Sequence, residues 1–172
     1  MFMEITLDQL LHSRDERHLR QQQLLNEAKG KSLVCLTVIM PGKVKRNSLS
    51  LTVAHAAVNA IRKSFAPSIT YSEERDLPTG YEAYFIVDTD EKQAKQTVCS
   101  IEEEHLLGRL FDVDVIKQDG VPMSRTELGL PQRRCLLCNN EARYCMKNRT
   151  HSQVELQAEI ERLVDEYRRH NN

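Results

Sequence analysis

The stretch G-R-L-F-D-V-D-V-I-K-Q-D-G-V-P-M-S-R, from Gly108 to Arg125, decides how the rest of the chain is arranged. Its first half alternates with the period of two that is typical of a β-strand, which places Asp112 and Asp114 on the same face. Side chains two positions apart leave a strand about 6–7 Å apart, so both carboxylates could contact one hard cation. Hydrated acids on a solvent-facing strand are the alternative interpretation, because short D-x-D patterns recur by chance.

The composition is that of an ordinary globular protein: 172 residues, 40% hydrophobic, 28% charged, with a formal net charge of −1. Such a chain can bury a core, and we expect a single domain over 1–172. No apolar run approaches the roughly 20 residues of a membrane helix, and the start lacks the pattern of a signal peptide. We therefore expect a cytoplasmic protein with no membrane partner, in which the five cysteines form no disulfide framework.

The order of predicted elements gives the fold class. A capping box at Thr6 opens a helix over 1–30, and the α/β core over 31–117 follows as strand, helix, hairpin, helix and strand. This β-α-β-β-α-β order is that of a ferredoxin-like sandwich, an α+β fold in which we expect the first and last strands to pair in the middle of the sheet. The remainder, 118–172, is predicted to be a Cys/Arg-rich helical extension, and a second capping box, Ser152-x-x-Glu155, is predicted to open its last helix.

Two segments carry basic residues: the helix that precedes the core, and the loop that precedes the first helix of the core. Arg14 and Arg17 stand at the phase of the first helix where apolar residues would be expected, so they either overhang solvent or lie over an anion-binding cavity. Lys43 belongs to a basic loop between the first strand and the next helix. A cationic loop at a helix N-terminus resembles a phosphate cradle, although no Walker-type glycine pattern is present.

The C-terminal segment contains a set of potential metal ligands, Cys135, Cys138, Cys145 and His151. Three sulfurs and one nitrogen are a legitimate tetrahedral zinc set. The spacing lacks the usual second pair of ligands at a familiar separation, so the sequence favours structural cysteines over zinc.

Arginines are concentrated in the same part of the chain. Arg125, Arg133 and Arg134 carry planar donors that suit polyphosphate, and an acid pair that holds a metal would explain how a triphosphate is activated. Hydration at the surface is the alternative for each of these side chains.

Several of these segments resemble one known family. The motifs G-R-L-F-D-V-D-V, S-R-x-x-L-G, R-x-C-L-L-C and A-R-Y-C-M-K-N-R-T-H, with R-D-E-R-H-L-R-Q-Q-Q-L-L near the start, closely resemble the apo-citrate lyase phosphoribosyl-dephospho-CoA transferase family, also called citrate lyase holo-acyl-carrier-protein synthase. The resemblance covers nearly the whole chain.

The resemblance implies a nucleotidyltransferase that acts on a protein. It would join 2'-(5''-triphosphoribosyl)-3'-dephospho-CoA, through a phosphodiester, to a serine of the citrate lyase acyl-carrier (gamma) subunit and release pyrophosphate. For this reaction we expect Asp112 and Asp114 to hold Mg²⁺. The side chains expected to bind the triphosphate are Arg14, Arg17, Lys43, Arg125, Arg133 and Arg134.

Two other functions remain open at this point. One is the equivalent reaction on the carrier protein of malonate decarboxylase, which differs only in the carrier that is recognised. The other is a non-enzymatic, zinc-stabilised nucleotide-binding or RNA-binding module. The chain has no Trp and few Phe or Tyr to stack on bases, so we expect no nucleic-acid partner.

Overall fold

The computed structural model describes residues 2–172 and shows a mixed α+β architecture with an antiparallel four-stranded sheet. The elements run in the order α1 (Leu7–Ala28), β1 (Ser32–Val38), α2 (Ser48–Phe65), β2 (Ile69–Leu77), β3 (Gly80–Val87), α3 (Glu91–Glu104), β4 (Phe111–Ile116), α4 (Ala142–Asn148) and α5 (Gln153–His170).

Side-chain caps fix where the helices begin. The predicted capping box is confirmed at Thr6, whose hydroxyl accepts a hydrogen bond from the backbone N–H of Gln9. The second predicted box is confirmed at Ser152 and Glu155, which start α5. The helix α3 ends at Glu104, and a short 3₁₀ turn follows before β4.

The strands lie in the order β2-β3-β1-β4. The predicted pairing of the first and last strands is confirmed: β1 and β4 are antiparallel, with Cys35 opposite Asp114 and Thr37 opposite Asp112. Their predicted position in the middle of the sheet is wrong, because β4 is an edge strand and β3 occupies the other central place. The outer edge of β4 is covered by its own chain: the N–H of Val113 donates to Glu102, and that of Met123 donates to the Val115 carbonyl.

The two faces of the sheet differ in what covers them. The main hydrophobic core lies between one face and helices α2, α3 and α5, to which α5 contributes Ile160 and Val164. On the other face, α1 packs only through its C-terminal part, including Leu24. The N-terminal part of α1 lies farther from the core, and Leu7 is 69% exposed. This leaves one end of the α1 face open to solvent and polar.

No helix within residues 2–172 combines the length and the apolar character that are needed to cross a membrane.

Candidate active site

Polar side chains form a row across the sheet on the face that α1 covers. The pairing register brings Glu73, Tyr84, Cys35 and Asp114 side by side across all four strands. In a sheet, residues that face each other in neighbouring strands point to the same side, so the row belongs to one surface. Acidic groups therefore stand at both ends of this row.

Arginines of α1 neutralise the acids on β2 and β3. Arg17 Nη1 lies 3.0 Å from Glu82 Oε2, and Arg20 Nη2 lies 2.7 Å from Glu73 Oε2. Tyr84 donates a further hydrogen bond to Glu82 at 2.9 Å. The polar middle of α1 thus contacts the sheet directly, so that it does not simply overhang solvent.

The two acids on β4 have fewer hydrogen bonds and ion pairs than the acids on β2 and β3. Asp112 accepts one long hydrogen bond from Thr37, 3.3 Å, and its nearest cation, Arg133 Nη1, is 3.7 Å away. Among residues 2–172, no hydrogen bond or ion pair reaches the carboxylate of Asp114. Burial, with the neighbouring charge of Asp112 as the second cause, raises the pKa of Asp114 to about 6. Two adjacent carboxylates that have between them only one ion pair among residues 2–172, at 3.7 Å, are a suitable site for a divalent cation.

Glu102 on α3 links this strand to two arginines. Its carboxylate is 5% exposed and lies 3.0 Å from Arg125 Nη2 and 3.2 Å from Arg133 Nη1. It also accepts the N–H of Val113, between the two aspartates. Arg125 is itself buried and has a second partner in Glu103 at 2.7 Å.

Backbone contacts hold the Cys/Arg-rich segment against the start of β4. Arg133 Nη2 donates to the Arg109 carbonyl at 3.0 Å, and Arg109 Nη1 donates to the Cys135 carbonyl at 3.0 Å. Gly108 is required by the close approach of α3, because a Cβ there would lie 2.1 Å from the Glu102 carbonyl oxygen. The G-R-L motif and the R-x-C motif therefore form one structural unit.

A cavity of about 330 Å³ opens beside this unit. Apolar side chains such as Met40 and Ile160 form much of its wall, and Arg133 and Arg134 contribute cationic groups. A mostly apolar cavity with a few charged groups is typical of a site for a small molecule. Two further cations line it that the sequence did not single out, Lys45 and Arg109.

The structure brings together some of the predicted site residues and separates others. Arg17 contributes to the electrostatic surroundings of Asp114, and Arg133 approaches Asp112. Arg14 is exposed on α1 near Lys45, whose pKa is lowered by burial and, secondarily, by the Arg14 charge. Lys43 and Arg134 are also exposed. Arg125 differs from these because its guanidinium is enclosed with two carboxylates.

The four potential metal ligands of the C-terminal segment converge. The ligand atoms of Cys135, Cys138, Cys145 and His151 all lie within 4.8 Å of one another. Cys135 precedes a tight turn, Cys145 is on α4, and His151 follows that helix. The arrangement is able to hold a metal ion.

Sequence reasoning missed Glu102, Thr37 and Lys95, a buried lysine whose charge acts on Asp114. Lys95 and Glu102 are seven positions apart on α3 and flank the buried Cys99, so all three share the stripe that faces inward. Charged residues at core phase were the available signal for Lys95 and Glu102. Thr37 carried no signal of its own, because its role depends on the register between β1 and β4.

Comparisons with known proteins identify the family of this chain. A family model described as "Apo-citrate lyase phosphoribosyl-dephospho-CoA transferase" matches residues 5–167. A protein of Vibrio cholerae named "Probable apo-citrate lyase phosphoribosyl-dephospho-CoA transferase" is 39% identical over 96% of this chain and 94% of its own length. A protein of the same name from Streptococcus pyogenes is 35% identical over 95% of this chain and 87% of its own length.

A longer relative shows the same likeness. "Protein CitXG" of Haemophilus influenzae is 35% identical over 95% of this chain, which spans 36% of that protein. The matched segment includes the D-x-D strand, the arginines and the four potential metal ligands. The chain therefore belongs to the apo-citrate lyase phosphoribosyl-dephospho-CoA transferase family.

Proposed function

We propose that this protein transfers the 2'-(5''-phosphoribosyl)-3'-dephospho-CoA group from its triphosphate precursor to a serine of the acyl-carrier subunit of apo-citrate lyase. The serine oxygen forms a bond to the α-phosphorus, the bond from that phosphorus to the bridging oxygen breaks, and pyrophosphate leaves. The observation that carries the proposal is the poorly matched pair Asp112 and Asp114 beside Arg133, in a chain whose family is named for this transfer.

The acid pair fits a Mg²⁺ ion. The two carboxylates share a face, repel each other, and lack a close cationic partner within the described residues, whereas Glu73 and Glu82 on the same face have theirs. Carboxylate oxygens are the ligands that Mg²⁺ prefers. When bound, the ion would gather phosphate oxygens and reduce the charge that opposes attack. One of the carboxylates can also accept the proton of the serine hydroxyl.

The arginines that line the cavity are suited to the triphosphate. Arg133 lies between Asp112 and the cavity, so its guanidinium can reach a phosphate that contacts the acid pair. Arg134 and Lys45 line the same cavity, and the exposed Arg14 lies near enough to Lys45 for its charge to act on it. Lys43 is exposed in the same loop as Lys45. Guanidinium groups bind phosphate through two parallel hydrogen bonds, which favours them for this task.

Two of the predicted triphosphate ligands have other partners in the structure. Arg17 is paired with Glu82, and Arg125 is buried with Glu102 and Glu103. We propose that Arg125 positions Arg133 through their shared partner Glu102 instead of contacting the donor. Arg17 keeps its proposed place at the edge of the site, where it is half-buried.

The fold is proposed to be ferredoxin-like. The element order, the antiparallel pairing of β1 with β4 and the helices α2 and α3 on one face support this assignment. A single domain over 1–172 is supported by the core, in which Ile160 of α5 shares one cluster with Val34 of β1. Within it, α1 and the segment after β4 would be additions that complete the site.

We also propose that the reaction takes place in the cytoplasm. All five cysteines have free thiols. Free thiols are typical of a reducing compartment.

Transfer to the carrier can be tested by mass spectrometry. Apo acyl-carrier subunit of citrate lyase, incubated with this protein, Mg²⁺ and the triphosphate donor, should gain the mass of the donor minus pyrophosphate on one serine. The apo carrier of malonate decarboxylase serves as the comparison and should be modified far more slowly. Modification of that carrier alone would shift the proposal to the malonate decarboxylase reaction. Donor binding with no modification of either carrier would favour a binding module.

Arg133 should be more important for transfer than another arginine of the same segment. Replacing Arg133 by Ala is expected to lower kcat/KM about 100-fold, the usual cost of removing one well-placed donor to a developing charge. Arg143→Ala is the matched control, because Arg143 is exposed on α4 and has no ion pair among the described residues. Equal effects of the two substitutions would contradict a specific role for Arg133.

A further inference from the structure

The segment from Arg133 to His151 has little apolar material to hold its shape. Of the seven residues of α4, only Cys145 is buried, and Tyr144 and Met146 are 55% and 74% exposed. A short hairpin precedes the helix, closed by the hydrogen bond from the Cys135 N–H to the Asn140 carbonyl. Small segments without their own hydrophobic core commonly depend on a metal or a disulfide.

We propose that Cys135, Cys138, Cys145 and His151 bind one structural Zn²⁺ ion that fixes this segment. The site goes beyond the proposed transfer reaction and involves different residues from the acid pair on β4. The spacing along the sequence favoured structural cysteines, but the spatial convergence of the four side chains reverses that preference.

The distances agree with tetrahedral coordination. Zn–S bonds of about 2.3 Å and Zn–N bonds of about 2.0–2.1 Å place neighbouring ligand atoms roughly 3.5–3.8 Å apart. Cys138 Sγ lies 3.4 Å from Cys145 Sγ and 3.4 Å from His151 Nε2, slightly closer than these values and able to open around an ion. A disulfide between the two cysteines would leave the convergence of Cys135 and His151 unexplained.

Contacts around the four ligands favour a thiolate site. The N–H of Leu137 donates to the sulfur of Cys135 at 3.4 Å, and hydrogen bonds of this kind orient and stabilise metal-bound thiolates. Three thiolates and one Zn²⁺ carry a net charge of −1, which nearby cations can balance. The same stretch of sequence supplies such cations: Arg134, Lys147 and Arg149.

The ion would act on the active site through the backbone. Cys135 directly follows Arg133 and Arg134, and its carbonyl accepts a hydrogen bond from Arg109. Cys135, Cys145 and His151 also line the cavity of about 330 Å³. Loss of the ion should therefore release the wall of the cavity and the two arginines, while the sheet and its main core remain folded.

Metal analysis of untagged protein, purified under reducing conditions without chelator, tests the site directly. We expect about one zinc per chain. Cys138→Ser and Cys145→Ser should retain less than about a fifth of that amount, since each removes a ligand. Cys35→Ser and Cys99→Ser are matched controls in buried cysteines outside the cluster and should keep full occupancy.

Cobalt substitution provides a second readout that needs no variant. Protein stripped of metal and loaded with Co²⁺ should develop the thiolate-to-metal charge transfer and the intense visible bands of a tetrahedral sulfur-rich site. Zinc content unaffected by the ligand substitutions would overturn the proposal. So would reduced wild-type protein that retains no Zn²⁺ or Co²⁺ after loading and desalting, or a Cys138–Cys145 disulfide in place of the metal.

Discussion

Replacing either Asp112 or Asp114 by Asn should reduce transfer to the carrier by roughly a thousand-fold or more, a loss of several kcal/mol of transition-state stabilisation. An amide has nearly the same shape as a carboxylate but cannot supply the charge that a divalent cation requires. The assay is the mass gain of the apo carrier, followed over time at saturating Mg²⁺. Asp165→Asn is the matched control, because Asp165 is exposed on α5 and has no ion pair within the described residues.

Asp114→Asn, which should lower the rate of transfer, is expected to increase the stability of the fold. Asp114 is held away from water next to Asp112, and its pKa is raised from 3.8 to about 6. A group whose pKa is raised by folding binds more protons in the native state, so its contribution destabilises the fold as pH rises from about 4 through 6. We expect Asp114→Asn to stabilise Mg²⁺-free protein by about 1–2 kcal/mol at pH 8 and by less at pH 5.

Urea unfolding at the two pH values, without divalent cations, measures this difference. A gain in stability together with a loss of transfer would show that the acid is retained for chemistry at a cost to the fold. If both variants transfer the group at near wild-type rates, the metal site on β4 is wrong. If transfer is lost because the variants unfold, the unfolding curves will show it.

Replacing Arg125 by Met should destabilise the fold by about 3 kcal/mol, because the buried Glu102 would lose its closest cationic partner. Arg162→Met is the matched control. Both arginines pair with two carboxylates, but the side chain of Arg125 is 8% exposed and that of Arg162 is 56% exposed. Exposed ion pairs contribute little, so the control should change stability far less than Arg125→Met does.

Denaturant unfolding of the two variants provides the comparison. Arg125→Met should also lower the rate of transfer. Arg125 and Arg133 both pair with Glu102, and in the variant Arg133 would be the only cationic partner of Glu102 among these two. A wild-type KM for the donor with a lower kcat would agree with a positioning role. Full stability with a raised KM would instead return Arg125 to the set of triphosphate ligands.

Local sequence signals predicted most of the helices and strands. Caps at Thr6 and Ser152 and the alternation around Asp112 each depend on a few neighbouring residues, and all three features are present in the structure. The edge position of β4 was not predictable in this way. It depends on where the chain after α3 returns to the sheet, which element order alone does not determine.

The candidate site was predicted only in part, because its geometry also depends on contacts between distant parts of the chain. The sequence identifies Asp112, Asp114 and Arg133 by residue type and spacing, but burial decides what each charged group does. Arg125 and Arg133 look alike in sequence, yet one is enclosed and the other faces the cavity. Glu102, which connects them, could be recognised only as a charge at an inward position of α3.

The covered edge of β4 limits how the carrier protein can approach. The outward N–H of Val113 is bonded to Glu102, and the outward carbonyl of Val115 is bonded to Met123. A partner cannot extend the sheet by pairing its own strand there without first breaking these bonds. We therefore expect the acceptor serine to lie on a loop or helix end of the carrier that contacts the open face, between α1 and the Cys135 segment. Recognition of the carrier should then depend on side-chain contacts instead of backbone pairing.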